Sequence, residues 1–296
     1  MKQQTVAIAR SKTRWFSALF FALALPLTAR DWPQAVRSPN DFSLYFAALR
    51  ESRLSTALIF VSPARIKSAD SGTALAVVRA PDADSEFFHS PLGNAVIVDH
   101  RDGFIAIYGN LSEIAIESGK THIEQGETLG VSGASNWQQE TAGLEFQAFD
   151  AKGGKSINPR TLFPFFRNEK PLRIHGITAV NKKGEKTALQ SPVLTLPADN
   201  YTLFHEVEPD NIPYKTEVTV NGALVETLAY NIMSERNGAL TVKGNKYYVA
   251  PDLYTSETMM LLGNIMLTRG RSTVVISASD INGVESPPQR FSIIVE

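Results

Sequence analysis

His100-Arg101-Asp102-Gly103-Phe104-Ile105-Ala106-Ile107-Tyr108-Gly109-Asn110-Leu111 is the stretch on which the reading of this chain turns. Two short apolar runs, Asn94 to Val98 and Phe104 to Tyr108, flank Arg101-Asp102-Gly103. Asp-Gly suits a tight hairpin turn, because glycine accepts a positive φ without a Cβ clash. The stretch therefore predicts a pair of antiparallel strands.

The same grammar continues on both sides. Upstream, Ala57-Leu58-Ile59-Phe60-Val61 is an apolar burst, and Ala64 to Lys67 and Thr73 to Val78 flank a turn at Asp70-Ser71-Gly72. Downstream, Gly119, Gly126, Gly130 and Gly133 punctuate short strands, Leu144 to Phe149 alternates, and Gly153-Gly154 turns the chain toward Ile157-Asn158-Pro159. No long helical pattern separates these strands, so a doubly wound α/β sheet is excluded in favour of an antiparallel β domain over residues 53–164.

Residues 165–172, with Arg167, Asn168, Glu169, Lys170 and Pro171, read as a linker. Residues 173–296 then carry about seven strand-like runs with turns at Asn221-Gly222, Asn237-Gly238 and Asp280-Ile281-Asn282-Gly283, which predicts an immunoglobulin-like β-sandwich. Met259 to Met266 is apolar throughout and fits a buried strand pair or a short helix. In the N-terminal extension, residues 30–52, Asn40-Asp41 would cap a short helix through Phe42, Tyr45, Phe46 and Leu49. The expected class is all-β.

The first 29 residues differ from the rest. Lys2, Arg10, Lys12 and Arg14 precede an apolar run from Trp15 to Ala29, the pattern of a secretory signal peptide with cleavage near Ala29. Left uncleaved, with bulky Leu27 near the cleavage point, it would tether the chain to a membrane. The whole chain carries −1 and this segment +4, leaving −5 for the remainder. That balance excludes the concentrated positive charge of a nucleic-acid surface. With no cysteine, the chain has neither a thiolate nucleophile nor a thiolate metal site. The expected location is the periplasm or cell envelope of a bacterium.

From about Arg53 to Pro164 the chain resembles the M23 (LytM-type) zinc metallopeptidases of bacterial cell-wall hydrolysis. The opening stretch looks like that family's His-x-x-Gly followed by Tyr-x-His-Leu. The glycine series follows its turns, Gly143-Leu-Glu-Phe-Gln147 falls where the family has His-Leu-His-Phe-Glu, and Asn158-Pro159 matches its closing Asn-Pro. The resemblance implies zinc held by a His, an Asp four residues later and the second His of His-x-His, with two further histidines assisting. Matched here are Arg53 and Ala57, by approximate counting, then Asn110, Gly143 and Glu145.

Such a site needs three side-chain ligands and an open water position. Only Glu145 offers a ligand in place, and Asn110 cannot act as acid or base near neutral pH. No catalytic residue, metal ligand set or cofactor is therefore expected. His89 and His122 read as exposed loop histidines, and His100 as a structural hydrogen-bonding residue. Asp99 and His100 should face opposite ways on one strand. Ser62 and Ser132 lack a nucleophile-elbow setting, and the glycines at 126, 130 and 133 lack the spacing of a dinucleotide fingerprint.

If the fold persists, the former cleft would survive as a binding groove lined by Tyr108, Asn110, Glu145 and Gln147, with Trp137 on a neighbouring loop. Glu145 reads equally as a hydrated surface carboxylate, and Trp137 as an anchor or a partly packed side chain. Degenerate M23 relatives resemble activators of wall amidases or envelope scaffolds. The chain is thus expected to bind an envelope protein or peptidoglycan. A scaffold, or less favourably an active metallopeptidase, stands as the alternative.

Overall fold

A computed structural model of the chain describes residues 30–79, 90–100, 102–117, 119–135, 142–167, 169–208 and 211–296. The segment read as a signal peptide, His89 and Trp137 lie outside these residues. The described structure is almost entirely β.

The hairpin expected at Asp102-Gly103 joins strands Asn94–His100 and Phe104–Ile114, in the register Val98↔Ala106 and His100↔Phe104. Phe104–Ile114 then pairs with Glu145–Asp150, and Glu145–Asp150 with Lys155–Ile157 and Ala57–Phe60. One face of this sheet is apolar because alternate side chains point the same way. Leu58, Val96, Val98, Ala106, Tyr108, Phe146 and Ala148 meet there in one buried cluster. Phe146 packs edge-on to Tyr108 at 5.2 Å between ring centroids.

Ten strands of residues 173–296 form two five-stranded sheets around a second core. One sheet places Tyr201, Leu203, Leu262 and Ile265 inward, and the other Val218, Val274, Ile276 and Ile293. Most pairings are antiparallel, and Val193–Leu196 runs parallel to Gln289–Val295. Met259–Leu267 is a single strand along Asp199–Glu206. Met260, Leu261 and Leu262 are buried in succession, so the first half shows no alternation, whereas Asn264 and Met266 in the second half are exposed.

The two regions share a sheet. Strand Ile232–Arg236, far downstream in sequence, pairs with Lys155–Ile157, and Ala239–Lys243 and Tyr247–Tyr248 extend the sheet further. Two hydrogen bonds close the junction: the Asn158 side chain donates from Nδ2 to the Tyr230 carbonyl at 2.9 Å, and its main-chain N–H donates to the Asn231 carbonyl at 2.8 Å. A third buried cluster lies here, where Phe46 and Leu54 meet Phe204, Tyr230, Met233, Val242 and Met260. Each such side chain, fully buried, contributes about 1.5–3 kcal/mol relative to exposure.

The short helix expected after Asn40-Asp41 does not form. Pro39–Asp41 makes a single 3-10 turn capped by Ser38, followed by strand Phe42–Leu44. Phe42 and Tyr45 enter the first core whereas Phe46 enters the junction core, and one helical stripe could not serve both. Ala47 and Glu51 adopt positive φ values of 66° and 59°, which turn the chain back on itself. A two-strand hairpin results, Leu49–Arg50 against Arg53–Leu54.

Candidate functional site

On strand Glu145–Asp150, Phe146 and Ala148 face the core, so Glu145 and Gln147 share the opposite face. The register sets Glu145 between Gly109 and Ile59, and Gln147 between Ile107 and Ala57. Glu145 is 5% exposed and is no hydrated surface carboxylate. Arg50 of the N-terminal hairpin meets it as a fork: Nη1 donates to Oε1 at 3.0 Å and Nη2 to Oε2 at 3.1 Å. Gln147 Nε2 donates to the same Oε1 at 3.1 Å, and Thr56 Oγ1 donates to Gln147 Oε1 at 3.0 Å. With side chains 18% and 7% exposed, the Arg50–Glu145 pair is largely withdrawn from water. A buried carboxylate at this position requires such a partner.

The remaining matched positions are equally committed. Asn110, at φ 61°, is 1% exposed; its Nδ2 donates to the Gly143 carbonyl at 2.8 Å and its Oδ1 accepts from the Ser135 N–H at 2.8 Å. Gly143 has φ 145°, and a Cβ there would stand 1.8 Å from the Phe60 carbonyl oxygen. No histidine fits that position on this backbone. Ala57 lies in its strand opposite Gln147 and bears no donor atom. Arg53 is exposed and borders a separate cavity with Leu54, Gly238 and Pro251. The arginine that reaches Glu145 is Arg50, three residues earlier than the counting suggested.

Tyr108 does not line a groove. It is fully buried, its hydroxyl accepts from the Ala69 N–H at 2.8 Å, and burial pushes its phenol up to about 12. Of the five residues assigned to the groove, Glu145 and Gln147 therefore share a face, Tyr108 and Asn110 support it from within, and Trp137 lies outside the described residues. Missed from the sequence were Arg50 and Thr56. The available signal was chemical: a carboxylate on a buried strand position demands a cation, and the extension carries Arg50.

His100 is buried as a structural residue. Its Nδ1 donates to the Ser71 carbonyl at 3.0 Å, its ring stacks on Phe104 at 5.2 Å, and burial lowers its pKa. Gly72 is required beside it, because a Cβ there would stand 2.5 Å from the Asp99 carbonyl oxygen. His122 remains exposed, on the two-residue strand His122–Ile123, with Nε2 2.8 Å from Glu124 Oε1.

The donor set does not fit a zinc ion. Two matched positions lack donor atoms, the Asn110 amide is engaged at both ends, and a cation near Glu145 would confront the Arg50 guanidinium. Among the described residues, no group of three or more His, Cys, Asp or Glu side chains is placed to hold a metal ion.

Comparison with known proteins agrees with the first resemblance. The model of peptidase family M23 matches residues 59–159, beginning just past Ala57, and a second family model, which carries no description, matches residues 171–296. The chain thus contains an M23-peptidase-like domain, followed by a β-rich region. None of the curated proteins compared with it matches. Among solved structures, one of the SpoIIQ–SpoIIIAH pore forming complex is 18% identical, with a TM-score of 0.34 over 45% of this chain and 90% of that one. The catalytic domain of lysostaphin from Staphylococcus simulans is 17% identical, with a TM-score of 0.31 over 40% and 87%. Csd3 from Helicobacter pylori is 16% identical, with a TM-score of 0.35 over 48% and 34%.

Proposed function

We propose that this chain is a noncatalytic M23-like protein of the bacterial cell envelope, which binds a protein partner or peptidoglycan and so regulates cell-wall hydrolysis. The observation that carries the reading is the Arg50–Glu145 fork, which puts a fixed positive charge where the resemblance would put a metal. Gly143 supports it, since its backbone leaves no room for the histidine of the family pattern.

The envelope location rests on the signal-like pattern of residues 1–29 and on the M23-like domain. Among the described residues, no helix is long and apolar enough to cross a membrane. The contact surface of this proposal is the rim around Arg50, Glu145 and Gln147, and Trp137 is the aromatic anchor read from the sequence. Residues 173–296 serve as an immunoglobulin-like spacer. A second reading, an envelope-assembly scaffold, draws support from the strands that run on from Lys155–Ile157 into Ile232–Arg236, because a shared sheet suits a load-bearing unit.

Sedimentation with insoluble peptidoglycan tests the proposal, alongside capture of envelope proteins from the same cells. Wall or partner binding is expected to weaken in Trp137→Ala, with no soluble wall fragments released in the presence of zinc. Fragment release abolished by a chelator would overturn it.

A further inference from the structure

We infer that the former metal cleft is now a guanidinium-binding site, occupied within the chain by Arg50. The geometry is selective. Glu145 presents both carboxylate oxygens to the two terminal nitrogens of Arg50 at 3.0 and 3.1 Å, a planar fork-to-fork match that neither an ammonium nor a spherical metal ion reproduces. The carboxylate is itself held from the side by Gln147, which Thr56 fixes in turn. These receptor groups belong to the strand Glu145–Asp150 and to the turn before Ala57–Phe60.

The occupant arrives from a separate element. Arg50 belongs to the hairpin Leu49–Arg50 and Arg53–Leu54, whose base is clasped by Ala47 N–H to the Ser55 carbonyl and Ser55 N–H to the Ala48 carbonyl, both at 2.8 Å. The Ala47 carbonyl accepts from the Tyr254 hydroxyl at 2.9 Å, so the region beyond residue 173 holds the hairpin down. Arg50 therefore joins the hairpin to strand Glu145–Asp150, and the Tyr254 hydroxyl ties the same hairpin to the region beyond residue 173. This inference deepens the noncatalytic reading above by naming the cation that replaced the metal.

Chemical rescue tests it. In Arg50→Ala the receptor carboxylate is left without its fork, and the melting temperature should fall by several degrees. Methylguanidinium at millimolar concentration should restore part of that loss, while ammonium chloride at equal ionic strength and zinc should not. The double variant Arg50→Ala with Glu145→Gln should show no such rescue. If Arg50→Ala does not fold, the same additives are compared for refolding yield, and Arg50→Lys, which keeps the charge without the fork, should melt below the parent. Rescue by zinc in preference to methylguanidinium would overturn both the inference and the metal-free reading. Equal response to all cations, or to none, would overturn the guanidinium site alone.

Discussion

The two faces of strand Glu145–Asp150 differ in chemistry. On one, Phe146 and Ala148 pack against Tyr108 and Leu58 in an uninterrupted apolar core. On the other, Glu145 and Gln147 hold Arg50 and Thr56 in a polar network. The contrast shows that this fold is specified by its apolar face, so the chemistry opposite can be replaced while the strands keep their register. It also shows that the replaced face has not decayed into an open groove. It has been refilled by a buried ion pair.

The core face should be the costlier to disturb. Phe146→Ala removes a fully buried ring and should lower the unfolding free energy by about 3–5 kcal/mol in denaturant titrations. On the other face, Arg50→Ala leaves the Glu145 carboxylate buried without its fork, with an expected loss of about 3 kcal/mol by the same measurement. Replacing both, as Arg50→Leu with Glu145→Leu, should cost less than the single change, because no uncompensated charge remains. A double loss equal to the sum of the singles would mean that the two faces differ less than this contrast requires.

A pH effect should come from the region beyond residue 173. His205 is 1% exposed, and burial lowers its pKa from 6.5 to about 4, with the nearby His175 charge acting in the same direction and the Glu206 main chain opposing. The folded form thus favours the neutral ring, and the unfolded chain takes up the proton more readily. Its contribution is complete above pH 6.5 and is lost as pH falls toward 4, by about 3 kcal/mol in all. His100 is shifted the same way. Stability measured across that interval should decline, and His205→Leu should flatten the decline. The smallest effect expected is at the hairpin clasp, where Tyr254→Phe deletes one hydrogen bond to Ala47 and should cost about 1 kcal/mol.

The apolar face was legible because period-two alternation and turn chemistry are local. Phe104 to Tyr108, the Asp102-Gly103 turn and Leu144 to Phe149 announce strands within a few residues. The vacancy at Asn110 and Gly143 was legible for the same reason, being a matter of residue type at counted positions. The Arg50–Glu145 pair was not, since its members stand 95 residues apart and no periodicity links them. Strand Ile232–Arg236 was recognised neither as a strand nor as a neighbour of Lys155–Ile157, because Ile232 is its exposed apolar residue and Met233 its buried one, too short a pattern to stand out. The expected helix at Phe42 to Leu49 failed where spacing suggested one buried face and packing supplied two.

The central claim is that the cleft holds Arg50 in place of a metal ion. Zinc content after the purified chain has been exposed to excess zinc and desalted tests it most directly. The account predicts no stoichiometric zinc in the parent protein. One zinc per chain, lost on Glu145→Ala, would contradict it.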